Sequence, residues 1–264
     1  MFEIDENEYE SLTYYIKKKY GMNLCNKRKL IQSRIQHELD RLHIATFAEY
    51  MKIMQDNTEI EQRLLNLTAT GYTYFMRESR QFQCLEQKIL NNLCCNDVIR
   101  IWCAGCSTGE ECYTTAMCVE ECREHGIKIP KVEITGTDIS RASLTIGEEG
   151  RYLPRQLVKA PLAWRTKYFK KDEEGYQVIG PIHDMVKFQY HNLADVFQTK
   201  HKYDVIFCRN VIVYMDGELR KKVVRELYES LKPGGYLILG NGEICHSGAK
   251  AWNLMGNSIY QKKE

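Results

Sequence analysis

Apolar residues recur at helical spacing through the first quarter of the chain, then give way to short continuous runs broken by glycine. Tyr9, Leu12, Ile16 and Tyr20 mark a first helix that Gly21 stops. Ile31, Ile35, Leu39 and Leu42 mark a second, over about Lys27 to Leu42. A third is expected from Thr46 to Met54 and a fourth from Glu59 to Leu67. Residues 1–68 therefore read as an all-helical domain.

Residues 69–80, which include Thr73-Tyr-Phe-Met-Arg77, form a joint, and a helix is expected from about Gln81 to Leu93. The pattern then becomes strand, glycine turn, helix: Val98 to Trp102, Ala104 to Gly109, and a helix from near Gly109 that ends by Gly126 and Pro130. A strand over Val132 to Asp138 and a helix from Ser140 to about Glu149 follow. Strands alternating with helices over short links predict a parallel, doubly wound sheet. Between Arg151 and Lys187 that order breaks. Tyr168 to Ile179 reads as a hairpin turning at Asp172 to Gly175, so an antiparallel insertion is expected within about 151–187. Strands over Val186 to Asn192 and Tyr203 to Asn210 resume the order. Then come a helix from Gly217 to Leu231, a turn at Lys232-Pro-Gly-Gly235, a strand from Tyr236 to Leu239, and a last strand near Ser258 to Lys262.

The glycine turn carries the chemistry. Glycines let a ligand approach the backbone, and the helix N-terminus offers unpaired N–H groups. This helix opens on Glu110 and Glu111. Two carboxylates repel a phosphate and favour a ligand with hydroxyls, an amine or a positive charge. S-adenosylmethionine has all three. Asp138 ends the second strand, where a carboxylate can bind both ribose hydroxyls of an adenosine. The same residue can instead cap the next helix, a job for which Ser140 competes. Two further strands end in Asn192 and Asn210, with amides expected to point into the crevice.

Charge and composition narrow the partners. The 264 residues carry a net charge of +2, which gives no bulk attraction to nucleic acid. No apolar run reaches membrane-spanning length, and residues 1–20 are too polar and acidic for a signal peptide, so a cytoplasmic protein is expected. From Lys17 to Arg41 there is a local excess of +6, with Lys27, Arg34 and Arg41 seven residues apart and His37 between them. Such a run is either a solvated helix face or a docking surface for an acidic partner. Eleven cysteines are scattered, and without an export signal reduced thiols are expected. Trp102-Cys-Ala-Gly-Cys106 imitates a thioredoxin motif, and Cys103, Cys106, Cys118 and Cys122 offer four zinc-type ligands. Both readings leave Ser107 to Glu111, Asp138 and the Asn-ended strands unexplained, so no metal is expected.

Taken together, Trp102-Cys-Ala-Gly-Cys-Ser-Thr-Gly-Glu-Glu111, Thr137-Asp-Ile-Ser140, His191-Asn-Leu-Ala-Asp195, Cys208-Arg-Asn-Val-Ile-Val-Tyr214 and Lys232-Pro-Gly-Gly235 resemble the chemotaxis receptor methyltransferase family, CheR in the usual naming. The joint Thr73 to Arg77 matches too, and the resemblance spans nearly the whole chain in order. It implies a class I S-adenosylmethionine-dependent methyltransferase fold: a Rossmann-like, doubly wound seven-stranded α/β sheet in residues 69–264. That fold carries a three-stranded antiparallel subdomain and follows an all-α N-terminal domain. It also implies methyl transfer from S-adenosylmethionine, leaving S-adenosylhomocysteine, to glutamate carboxylates of chemoreceptor cytoplasmic helices. A catalytically weak cofactor-binding scaffold or sensor of the same fold is the alternative.

Carried onto this sequence, the resemblance implies cofactor contacts at Thr73, Arg77, Glu110, Glu111, Asp138, Asn192, Leu193, Asn210 and Val211, with Glu111 favoured within its doublet. The chain departs from the family at Gly71, where Asn is common, at Met76 and Met215, where aromatics are usual, and at Cys112, where Pro is usual. A carboxylate acceptor is already ionised at neutral pH, so no general base is needed; alignment and exclusion of water suffice. Arg77 is the candidate to orient that carboxylate and Tyr214 to donate a hydrogen bond to it. The competing readings are a structural ion pair of Arg77 with Glu78 or another acid, and a core aromatic at Tyr214. The basic helix, through Lys27, Arg34, His37 and Arg41, is the expected receptor-docking face of a monomer. The short hairpin turn at Lys170 to Gly175 implies docking without a receptor tether peptide.

Overall fold

A computed structural model describes residues 4–24, 27–68, 72–197, 199, 201–245 and 251–263. Gly71, and with it the departure read there, lies outside the described residues. Contacts divide the chain into two compact units. One holds the described residues up to Thr68 together with Tyr214–Leu219, the other those from Tyr72 to Val213 and from Arg220 on.

The first unit is built from α1 (Glu6–Tyr20), α2 (Arg28–Leu42), α3 (Phe47–Asp56) and α4 (Thr58–Thr68). Asp5 and Glu8 form a capping box at the start of α1, and Gly21 closes it in the left-handed conformation that glycine adopts without strain. The faces read from the sequence meet in the interior: Tyr9, Leu12, Ile16 and Tyr20 from α1, Ile31, Ile35 and Leu39 from α2, Phe47, Tyr50 and Met54 from α3, and Leu64 and Leu65 from α4. Glu38 is buried with them, bridged by Arg41 and Arg63 at 2.8 Å each. Those guanidiniums hold its carboxyl below the usual range.

The second unit opens on the expected helix in three pieces: α5 (Ser79–Cys84), a single π-helical turn over Leu85–Ile89, and α6 (Leu90–Leu93). The sheet is β1 (Val98–Ala104), β2 (Lys131–Asp138), β6 (Val186–Tyr190), β7 (Tyr203–Cys208), β8 (Leu231–Leu239), β9 (Trp252–Gly256) and β10 (Ile259–Lys262). Their order is β6-β2-β1-β7-β8-β10-β9. β1, β2, β6, β7 and β8 run parallel, and β10 pairs antiparallel with β8 and with β9. Around the sheet run α7 (Glu110–Glu124), α8 (Arg141–Glu149) and α11 (Gly217–Ser230). The strand order reverses beside β1, which places the carboxyl ends of β1, β2 and β7 at the switch point where open α/β sheets bind ligands. β7 is buried along its full length, as a central parallel strand must be.

The insertion is a second sheet of β3 (Arg151–Tyr152), β4 (Phe169–Lys171) and β5 (Tyr176–Val178), ordered β3-β5-β4 and antiparallel, with short helices α9 (Leu162–Lys167) and α10 (Gly180–His183). Its hairpin turns at residues 172–175 as read. Asp172 Oδ1 accepts the N–H groups of Glu174 and Gly175.

One expectation needs correction. Lys232-Pro-Gly-Gly235 does not separate helix from strand, because β8 begins at Leu231. Leu231 pairs with Tyr203 and Tyr236 with Val205, so the Pro-Gly-Gly segment bulges out of a continuous strand. β9 supplies the seventh strand that the resemblance implies, at a place the residue pattern does not mark. It is an edge strand of mostly exposed residues, without an apolar alternation to announce it.

Candidate active site

The turn between β1 and α7 is fixed from below by one carbonyl. The N–H groups of Gly105 and Cys106 both donate to the Thr137 oxygen, at 2.7 and 2.9 Å, which ties the turn to the end of β2. Gly105 is left-handed at φ +78°, and a Cβ there would collide with Val211 Cγ2. The residue is glycine for two reasons at once, conformation and close approach. Ser107, also left-handed, donates its N–H to Asp138 Oδ2 at 2.9 Å, while Ser140 donates to Asp138 Oδ1 at 2.9 Å. Asp138 thus joins the turns after β1 and β2, and Ser140 caps α8 through Ser143. Burial raises the Asp138 carboxyl above its ordinary value, opposed by the N–H groups of Ser140, Ser107 and Ile139. With three N–H donors on it, the carboxylate keeps one of its four lone-pair sites for a hydroxyl donor.

The glutamate doublet splits into two environments. Glu110 is fully buried, its oxygens accepting from Thr108 Oγ1 and Gln156 Nε2, both at 2.6 Å. Glu111 is partly open and lies 3.1 Å from the Arg209 guanidinium. Burial raises both carboxyls, and Arg209 opposes the shift at Glu111.

Arg209, just past the end of β7, organises the next layer. It bonds the Arg77 carbonyl, approaches Glu78 at 3.4 Å, and lies over the Phe82 ring with its Cζ 5.1 Å from the centroid. Glu78 in turn accepts from Asn210 Nδ2 at 3.3 Å and from the Asn241 N–H at 3.1 Å. The competing reading of an Arg77–Glu78 pair is therefore replaced by Arg209–Glu78. Among the described residues Arg77 makes no ion pair, and it donates to the Tyr72 carbonyl at 2.7 Å. Met76 and Glu78 flank Arg77 and are both left-handed without being glycine, the kind of backbone strain that gathers at functional sites. Thr73 lies half-buried in the irregular segment leading into them.

After β6, the His191 N–H donates to the Asp138 carbonyl at 3.1 Å, and Asn192 Oδ1 accepts the Ala194 N–H at 3.0 Å; Asn192 and Leu193 are both buried. Burial lowers the His191 imidazole below its usual value, against the pull of Asp195. Its ring packs on Phe197, which stacks on Trp102 at 4.3 Å between centroids. The cysteines read as alternatives, Cys103, Cys106, Cys118 and Cys122, are all buried, and burial pushes the Cys106 and Cys122 thiols up to about 11. Thiols held protonated in this way are poor nucleophiles and poor metal ligands.

Asp138, Asn192, Leu193, Asn210 and Val211 thus lie at or just beyond the ends of β2, β6 and β7, and Arg209 ties Glu111 to the Arg77 carbonyl, while Glu110 turns to Gln156. Tyr214 belongs to the helical unit. There its carbonyl accepts the Asn23 N–H at 2.7 Å, and the Lys27 ammonium lies 4.3 Å from its ring centroid. Of the expected docking cations, Arg34 donates to the Leu67 carbonyl at 2.6 Å, Arg41 bridges Glu38, and His37 is exposed. Sequence reasoning missed Arg209, Glu78 as its partner, and Glu243. The signal for Arg209 was an arginine following the apolar run Val205 to Cys208, where a buried charge demands a partner.

The donor set suits S-adenosylmethionine: a desolvated carboxylate with a free lone pair, a second carboxylate at a helix N-terminus, and a glycine turn without room for a Cβ. The description "CheR methyltransferase, SAM binding domain" matches residues 71–260, and "CheR methyltransferase, all-alpha domain" matches residues 7–67. Among curated proteins, a chemotaxis protein methyltransferase of Borreliella burgdorferi is 36% identical, covering 98% of this chain and 95% of its own length. A chemotaxis protein methyltransferase of Vibrio parahaemolyticus is 31% identical over 91% of this chain and 90% of its own length. Chemotaxis protein methyltransferase 2 of Vibrio cholerae is 32% identical over 91% and 86%. With a site built for a sulfonium nucleoside and family domains matched along nearly its whole length, this chain belongs to the CheR methyltransferase family, as an S-adenosylmethionine-dependent enzyme.

Proposed function

We propose that this enzyme methylates glutamate side chains on the cytoplasmic helices of chemoreceptors. Residues 1–68 serve as the docking domain and residues 69–264 as the transfer domain. The observation that carries the reading is a desolvated Asp138 at the end of β2 and Glu111 in the first turn of α7, on either side of the glycine turn, within a chain whose relatives are chemotaxis protein methyltransferases. When bound, S-adenosylmethionine supplies a methyl group on a positively charged sulfur. Asp138 takes the ribose hydroxyls and Glu111 the amine, while Glu110 braces the turn from inside. Thr73, Asn192, Leu193, Asn210 and Val211 complete the cofactor contacts.

Arg77 is the residue assigned to the acceptor, presenting two N–H groups to the glutamate carboxylate, and Tyr214 adds a hydroxyl donor. A carboxylate oxygen forms the new bond to carbon as the bond to sulfur breaks, and the electron pair stays on sulfur. No proton moves, so the site needs no base; its work is alignment and exclusion of water. The local excess of +6 between Lys17 and Arg41 supports docking on an acidic helix bundle through Lys27, Arg34, His37 and Arg41.

The test is transfer of a labelled methyl group to a receptor cytoplasmic fragment, with the product checked for release by alkali as an ester. Arg77→Ala is expected to abolish transfer while the protein stays folded. A wild-type rate in that variant would overturn the role of Arg77, and an alkali-stable product would overturn the carboxylate acceptor.

A further inference from the structure

The loop after β8 carries a carboxylate that the transfer reaction does not use. Glu243 Oε2 accepts the N–H groups of Gly240 at 2.7 Å and Asn210 at 2.8 Å, and Oε1 accepts that of Val213 at 3.1 Å. The Glu243 N–H returns to the Gly240 carbonyl at 2.9 Å, closing the loop. One side chain therefore holds three backbone donors from two different loops, those following β7 and β8. Independently, Gly240 has no space for a side chain: a Cβ there would stand 2.6 Å from Asn210 Nδ2 and 2.8 Å from the Asn210 nitrogen. The two loops are pressed together at the point the carboxylate clamps. The clamped residue, Asn210, is left-handed at φ +59° without being glycine, a conformation that persists only where its surroundings enforce it. Its neighbour Val211 is the side chain that fills the space against Gly105, and its own amide reaches Glu78.

We infer that Glu243 is a positioning residue for cofactor binding: it sets the backbone after β7 so that Val211 closes on the glycine turn and Asn210 meets Glu78. Only a carboxylate can do this, since it is acceptor-only at both oxygens; an amide would turn an N–H₂ toward an N–H. The inference rests on the cofactor assignment made for this site.

Calorimetric titration with S-adenosylhomocysteine tests it, run beside thermal melts on the unaltered chain, Glu243→Gln and Asp204→Asn. Asp204 is the control: a buried carboxylate at the opposite end of β7, accepting from Arg100 N–H and Asn96 at 2.8 Å and from Lys232 at 2.7 Å. Glu243→Gln is expected to weaken binding by about tenfold or more, the loss of charge-assisted bonds at a ligand wall. Asp204→Asn is expected to lower Tm with Kd unchanged. Unchanged affinity in Glu243→Gln, or equal weakening in Asp204→Asn, overturns the inference. No binding by the unaltered chain overturns the cofactor assignment and this inference with it. If Glu243→Gln does not fold, hydrogen exchange in the unaltered protein decides. Protected amides at Asn210 and Gly240 support the clamp, and exchange at the rate of an open loop overturns it.

Discussion

The Arg209 guanidinium, its side chain 2% exposed, stands 3.1 Å from the Glu111 carboxylate and on its other side meets Glu78 and the Arg77 carbonyl. One buried cation therefore sets both the acidic residue assigned to the cofactor and the backbone of the arginine assigned to the acceptor.

Removing that cation strands Glu111 in a desolvated place. Breaking a buried pair by deleting one partner costs about 3–5 kcal/mol, because the remaining charge is uncompensated. Arg209→Met is expected to lose about 3 kcal/mol in urea unfolding and to lose S-adenosylhomocysteine binding. Full binding in a variant destabilised to that extent would separate Arg209 from the site.

The doublet should divide on substitution. Glu110→Gln keeps its partners Thr108 and Gln156 in reach and is expected to leave cofactor affinity intact, whereas Glu111→Gln should weaken it. The pH dependence has a definite sign. Burial raises the folded-state value of Glu110, so its contribution to stability is complete below the unfolded value and is lost as pH rises through the folded one. The stability of Glu110→Gln relative to wild type should therefore increase from about pH 4 upward and level off above the folded value. Denaturant midpoints across that range check it; a difference that shrinks as pH rises would contradict the buried charge.

Gly105 is held left-handed with Val211 where a Cβ would be. Gly105→Ala adds backbone strain and a collision at the cofactor turn. It should cost about 1–3 kcal/mol, and cofactor affinity should fall with it. Calorimetry and melting on the same preparation give both values.

Neutralising Arg34 and Arg41 together is expected to raise KM for the receptor fragment, with little effect on the KM for S-adenosylmethionine. The wild-type value for receptor should rise with ionic strength, since exposed charges are screened over about 10 Å at 0.1 M salt. Arg41 also bridges Glu38, so the melting temperature of the double variant must be followed alongside. An unchanged receptor KM would reject the basic face as the docking surface.

Much of the fold was legible because it rests on local rules. Helical periodicity marked α1 to α4, and buried runs between glycines marked β1, β2 and β7. Asp138 at a strand end and Glu111 at a helix start needed nothing more than position along an element. The Lys232-Pro-Gly-Gly235 segment misled because its turn chemistry is real but sits inside a strand, as a bulge that only pairing with β7 defines. β9 gave no signal because an edge strand gains its hydrogen bonds from a neighbour rather than from its own pattern.

The sequence by itself determined most of the elements, the family and the places of Asp138 at a strand end and Glu111 at a helix start, since each depends on spacing within a few residues of chain. Only the tertiary structure decided which charges meet. Glu78 and Arg209 are more than a hundred residues apart, and so are Asn96 and Asp204. Glu243 finds Asn210 across two loops. Buried charges choose partners by distance in space, under the penalty for leaving any of them unpaired, and no periodicity in the chain records that choice.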